Sequence, residues 1–147
     1  MSDITTRTIS VKNTADYQKV YELREEVLRK PIGLSLKDED LSGDDLDKII
    51  IAESGSELLG CVMIHPTHET TVLKLRQMAV QPSQQRKGIG QLLISVAENE
   101  CRSAGATRII LHARIEAEGF YKKLGYATVS DIFNEVGIPH VVMEKPL

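Results

Sequence analysis

Between Thr71 and Ala113 the chain reads as strand, loop, helix and strand, and this succession limits the folds open to it. Thr71 to Val80 predicts a long strand. From Gly88 to Ala104 a helix follows, with Ile89, Leu92, Leu93, Val96, Ala97 and Cys101 on one face. Gly105 ends that helix, and Arg108 to Ala113 predicts the next strand. A helical crossover of this kind is what joins parallel strands. The first half reads differently: Lys48 to Glu53 and Leu58 to His65 flank Ser54-Gly55-Ser56, the pattern of an antiparallel hairpin. Hairpins followed by crossovers imply an α/β fold, a mixed sheet with helices packed on both faces.

The rest of the chain completes the order β-α-β-β-β-α-β-α-β-β within a single domain spanning residues 1–147. Thr6 to Lys12 predicts the first strand, and Asn13-Thr14 offers caps for a helix. In that helix Tyr17, Val20, Tyr21, Arg24, Val27 and Leu28 share a face. Arg24 breaks an otherwise bulky stripe, so it requires an anionic partner, an aqueous cavity or a route to the surface. Pro31 and Gly33 close the helix. Leu34 to Asp47 then carries six acidic residues (Asp38, Glu39, Asp40, Asp44, Asp45 and Asp47) and reads as a solvated loop with a short helix in it, a substrate lid being the alternative. His65-Pro66-Thr67-His68 reads as a surface turn rather than a metal site, and no metal is expected. A short helix from about Ala117 to Leu124 leads to Gly125-Tyr126. Ala127 to Phe133 pairs with Pro139 to Lys145.

Lys and Arg number 18 against 21 Asp and Glu, a net charge of −3, which argues against a nucleic-acid partner. The amino terminus lacks a basic segment followed by an apolar one, and the apolar runs fall far short of the roughly 20 residues of a membrane span. Cys61 and Cys101 read as reduced, buried thiols. A cytoplasmic location without membrane partners is the expectation.

The loop entering the long helix holds the chemistry. In Met78-Ala79-Val80-Gln81-Pro82-Ser83-Gln84-Gln85-Arg86-Lys87-Gly88-Ile89-Gly90, the glycines permit a sharp turn and close approach of a large ligand. The first amides of a helix lack internal acceptors and carry partial positive charge. From Gln81 to Gln91 there is no acidic residue to occupy them, while Arg86 and Lys87 are basic. The segment therefore predicts an anion cradle. A Walker loop is excluded by its missing Gly-Lys-Ser/Thr, and Leu93 stands where a dinucleotide fingerprint needs a small residue.

Gln85-Arg86-Lys87-Gly88-Ile89-Gly90 resembles the Gln/Arg-x-x-Gly-x-Gly/Ala motif of the GNAT N-acetyltransferases. The flanking strand and helix, and Gly119-Phe120-Tyr121-Lys122-Lys123-Leu124-Gly125-Tyr126, resemble that family in order and spacing. The resemblance implies a GNAT fold in which two strands splay to hold the arm of coenzyme A. It implies transfer of acetyl from acetyl-CoA to an amine. Met78, Ala79 and Val80 would meet the pantetheine, and Gln85, Arg86, Lys87, Gly88, Ile89, Gly90 and Gln91 would surround the pyrophosphate. Tyr121 would protonate the departing thiolate.

Tyr21-Glu22-Leu23-Arg24, Leu75-Arg76-Gln77-Met78-Ala79, Ala113-Arg114, Tyr121 to Gly125 and Gly137 to Met143 further resemble the glyphosate N-acetyltransferase branch. That resemblance implies Arg24, Arg76 and Arg114 around a small acceptor bearing carboxylate or phosphate, with His140 as general base. Pro31 to Asp47 departs from the branch, and Arg114 replaces an asparagine found in many family members. Strand parity puts Arg76 on the face of Met78 and Val80. Three converging guanidiniums call for an anion between them and would oppose a lysine peptide. His140 lies in an apolar strand, where a hydrogen-bonded core histidine is the other reading; as a base it would be kept neutral by the arginines. His112 is a weaker candidate for the base, and Arg108 reads as a surface residue. The alternatives are a protein or peptide N-acetyltransferase, and a noncatalytic acyl-CoA sensor. Pairing of the last strands, as in similar folds, would give a homodimer.

Overall fold

The computed structural model describes residues 3–147. An eight-stranded sheet forms in the order β1-β2-β3-β4-β5-β8-β6, with β7 also paired to β8. The strands are β1 (Thr5–Ile9), β2 (Lys48–Ser54), β3 (Glu57–Pro66), β4 (Val72–Val80), β5 (Arg108–Arg114), β6 (Ala127–Thr128), β7 (Phe133–Glu135) and β8 (Ile138–Pro146). Only β4 and β5 run parallel, across the crossover made by helix α2 (Ile89–Ser103). Helix α1 (Thr14–Arg24) covers the opposite face, and α3 (Glu118–Lys123) follows β5.

Alternation sorts the side chains between two cores. Ile50, Val62, Ile64, Leu75, Ile109, Leu111 and Met143 meet α2 through Ile89, Leu93, Ile94, Ala97 and Cys101. Ile9, Ile49, Ile51, Cys61 and Met63 meet α1 through Val20 and Leu23. Gly60 is what allows α2 so near the sheet: a Cβ there would lie 3.0 Å from both the Ala79 carbonyl oxygen and Leu93 Cδ1. Leu92 and Val96, expected on the inward face of α2, are half-buried, while Ile94 and Glu98 are buried. Glu98 is satisfied there by the Tyr126 hydroxyl at 2.8 Å and Lys145 Nζ at 3.0 Å.

Two departures from the sequence reading shape the site. The strand expected from Ala127 to Phe133 is two short pieces, β6 and β7, both on the outer edge of β8. The acidic segment is solvated only in part: Asp38, Asp40 and Asp45 are exposed, but Leu36 is 1%, Asp44 1% and Asp47 3% exposed, and it contains the short helical turns Leu36–Asp38 and Ser42–Leu46. His65 lies in β3, as the strand read from Leu58 to His65 required, and its Nδ1 is 2.5 Å from Asp47 Oδ1.

Candidate active site

Pairing of β4 with β5 ends at Leu75 opposite Leu111. Beyond it Arg76–Val80 and His112–Arg114 part company, each held only by its other neighbour. The separation leaves a gap lined by backbone of β4. One carbonyl in it, that of Val80, accepts from Gln85 Nε2 at 3.4 Å.

Helix α2 begins at the top of this gap. Gly88, its N-cap, has φ +81°, and Arg86 also lies at positive φ, +66°. No side chain caps the helix and no acidic residue occupies its first turn. Leu92 is the first amide bonded back, to Gly88 at 3.0 Å, which leaves the amides before it available. Arg86, Lys87 and Gln91 are exposed around this end, while Ile89 is buried and anchors it. Gly90 packs so closely that a Cβ would lie 3.3 Å from Phe120 and 3.5 Å from Met78. These features suit a large anionic ligand laid along Met78, Ala79 and Val80 with its phosphates on the helix end.

Parity fails in β4. Cys61 pairs with Ala79 but Met63 with Arg76, so β4 carries one extra residue, and Gln77 has φ +56° there. The bulge turns Met78 and Val80 to the α2 face, whereas Arg76 stays opposite Met63 on the α1 face. Arg76 therefore does not share a face with Met78 and Val80, as strict alternation required.

The three arginines have different partners. Arg24, 1% exposed, donates from Nη1 to Asp44 at 2.8 Å and from Nε to Gln77 at 3.1 Å. Arg76 donates to Asp44 at 2.6 Å and Asp47 at 2.8 Å. Tyr17 adds a hydroxyl donated to Asp44 at 2.5 Å. Burial opposes the charge of both carboxylates. At Asp44 the bonds from Tyr17, Arg24 and Arg76 outweigh it and hold the carboxyl below its ordinary range; at Asp47 burial prevails over His65 and Arg76 and the carboxyl lies above it. The anion that joins Arg24 and Arg76 is thus the chain's own. Arg114 is different: it donates from Nη2 to the Leu28 carbonyl at 2.9 Å, and no carboxylate among the described residues forms an ion pair with it. Burial and the neighbouring Arg29 lower its affinity for a proton, against a smaller pull from Glu116. Arg29 itself is held by Glu39 at 2.6 Å. A half-buried guanidinium without a counter-charge is suited to an external anion.

His140 stands directly across from Arg114 in the β5–β8 ladder, so both lie on the α1 face with His112 and Lys74. It is 4% exposed. Its Nδ1 lies 2.8 Å from the Ile138 carbonyl oxygen, which must accept a proton. In the neutral imidazole this contact places the hydrogen on Nδ1 and leaves Nε2 a lone pair, the tautomer a base requires. The carboxylate of Glu135 reaches to 3.7 Å from that nitrogen. Its other oxygen is 2.8 Å from His112 Nδ1. Glu135 escaped the sequence reading because nothing local distinguishes it from a hairpin surface residue.

Tyr121 is 8% exposed and stacks edge-on between Phe120 and Tyr126. Burial pushes its phenol up to about 12, so it stays protonated at neutral pH. Its hydroxyl has no protein partner among the described residues, yet no fully enclosed side-chain polar atom goes unpaired there, so the hydroxyl keeps contact with solvent.

A splayed parallel pair thus meets an uncapped, glycine-led helix at one end of the sheet. The profile of the Acetyltransferase (GNAT) domain family matches residues 11–147, and the chain belongs to that family; it is an acyl-CoA-dependent N-acetyltransferase. A Bacillus subtilis (strain 168) protein named as a candidate acetyltransferase is 29% identical over 141 residues, covering 92% of each chain. Among solved structures, a candidate N-acetyltransferase of Lactobacillus plantarum superposes with a TM-score of 0.87 at 22% identity over 98% of both chains. An aminoglycoside 6′-N-acetyltransferase solved with coenzyme A has a TM-score of 0.76 at 17% identity, covering 97% of this chain and 96% of that one. None of the helices of the described residues is long and apolar enough to cross a membrane.

Proposed function

We propose that this acetyltransferase moves acetyl from acetyl-CoA directly to the amine of a small acceptor that carries a carboxylate or phosphate. The observation that carries the reading is Arg114, an arginine without a counter-ion placed across the ladder from the free Nε2 of His140. Resemblance of the surrounding segments to glyphosate N-acetyltransferase supports it, as does the coenzyme A held by the aminoglycoside enzyme of like fold. Met78, Ala79 and Val80 receive the pantetheine, while the turn from Gln85 to Gln91 and its free amides hold the pyrophosphate. Acetyl-CoA supplies the activated acyl carbon. His140 Nε2 takes a proton from the acceptor's ammonium, the freed nitrogen attacks that carbon, and as the carbon–sulfur bond breaks the nitrogen gives up its second proton to solvent. Tyr121 gives its proton to the departing sulfur and is reprotonated from solvent. Arg114 grips the acceptor's anion, with Arg76 at its edge, and Arg24 contributes by holding Asp44.

Coenzyme A release against paired amines tests the reading: amino acids, aminophosphonates and hexosamine phosphates beside uncharged analogues and a lysine peptide. Turnover confined to anionic amines, reduced by Arg114→Ala and abolished by His140→Ala, is the expected result. The second reading, transfer to a protein or peptide lysine, draws support from Asp44 and Asp47, which neutralise Arg24 and Arg76 and lessen their repulsion of a lysine. Turnover of the lysine peptide alone would establish it in place of the first.

A further inference from the structure

Glu135 occupies a position that neither the fold nor the acyl carrier explains. It ends β7 at a two-residue turn, Val136-Gly137, and its partner across that turn is Ile138. Both turn residues have positive φ, +47° and +76°, although valine is β-branched and poorly suited to that region. The strained turn holds Glu135 over the α1 face of β5 and β8. Lys74 from β4, His112 from β5 and His140 from β8 are the charged or titratable groups that act on it there. Burial works against its charge, but the His112 hydrogen bond first, and then the positive charge that His112, Lys74 and a protonated His140 place beside it, outweigh that and hold the carboxyl below its ordinary range.

The two atoms that face each other, Glu135 Oε2 and His140 Nε2, are 3.7 Å apart. In the neutral imidazole, with Nδ1–H donated to the Ile138 carbonyl, Nε2 carries a lone pair, and a carboxylate oxygen is likewise only an acceptor. Two acceptors at that spacing cannot bond to one another and require a donor between or beside them. A primary ammonium carries three N–H groups on one nitrogen and can address both at hydrogen-bonding distance. We infer that Glu135 and His140 form a fork that binds the acceptor's ammonium, with His112 holding the carboxylate in place. Glu135 selects the charged amine, and His140 Nε2 then removes the proton that frees the nitrogen. Together with Arg114 on the same face, the fork makes the site complementary to a zwitterion: cation at one end, anion at the other. The inference rests on the acceptor reading above and adds the group that recognises the amine.

The test compares 2-aminoethylphosphonate with ethylphosphonate, a pair that differs by the ammonium, titrated calorimetrically into protein saturated with coenzyme A. Wild type should bind the ammonium-bearing member roughly ten- to a hundredfold more tightly, the worth of one charge-assisted bond. Glu135→Gln should abolish that preference while leaving ethylphosphonate binding and coenzyme binding unchanged, and Glu135→Asp should restore part of it. Arg114→Ala should weaken both phosphonates alike. A preference that persists in Glu135→Gln, with an unchanged melting temperature, would overturn the fork and leave the anion site standing. A preference lost in Glu135→Gln but phosphonate binding unaffected by Arg114→Ala would uphold the fork and overturn the anion site. Failure of both compounds to bind wild type would overturn both.

Discussion

Asp44 is reached by two guanidiniums and a phenol at once, so removing its charge strands positive charge in the interior. Asp44→Asn is expected to cost about 3–5 kcal/mol, read as a fall in the urea midpoint, because no other carboxylate among the described residues forms an ion pair with Arg24. Replacing the buried pair together, Arg24→Met with Asp44→Leu, should recover much of that loss. The tyrosines carry a second prediction. Tyr17 and Tyr121 are both pushed up to about 12, chiefly by burial, against an ordinary value near 10. Between those values the unfolded chain has released protons that the folded chain keeps, so stability is whole below pH 10 and falls as pH rises toward 12. Urea midpoints at pH 9 and 11 would show it. The rate should likewise not decline through loss of the Tyr121 proton below about pH 10. The sequence announced that Arg24 needs a partner but could not say which. Six acids in fourteen positions read the same whether solvated or folded inward, because that choice is made by tertiary contacts.

At the scale of elements, the β7–β8 hairpin holds both Glu135 and His140 and does so through an unfavourable turn. Val136→Asn would put a residue tolerant of positive φ at that position. It should stabilise the protein by about 1 kcal/mol, measured by thermal melting, without loss of coenzyme binding. A drop in stability would mean that Val136 packing outweighs the backbone strain. The main elements, α2 and the strands on either side of it, were legible because their periods are long and clean. The bulge at Gln77 was not. The residues from Leu75 to Val80 offer no local mark of an inserted residue; it exists only in the pairing with β3, and with it the face of Arg76 changes relative to Met78. The break between β6 and β7 was hidden for the same reason, since both pieces pair with one continuous strand.

Over the whole molecule the splay is a structural weakness at the place proposed for the coenzyme. β1 to β4 form one part of the sheet and β5 to β8 the other. Their ladder spans only Val72 to Leu75 opposite Arg108 to Leu111. Helix α2 packs on β2 to β4, α3 packs on β5 and β6, and the two helices meet at Gly90 and Phe120. The coenzyme arm, lying between Met78–Val80 and His112–Arg114, would bond to one part and pack on the other, restoring across the gap what strand pairing does elsewhere. Its binding should therefore stabilise the fold globally rather than quiet one loop. At a hundredfold excess over its dissociation constant, acetyl-CoA should add about 2.7 kcal/mol and raise the melting temperature by several degrees. Hydrogen exchange should slow on both sides of the gap, at Met78 and Val80 and at His112 to Arg114, as well as at the α2 amides. Slowing confined to the Gln85–Gln91 turn would show that the phosphates dock but the arm does not enter the splay, and the transfer geometry derived from it would fall.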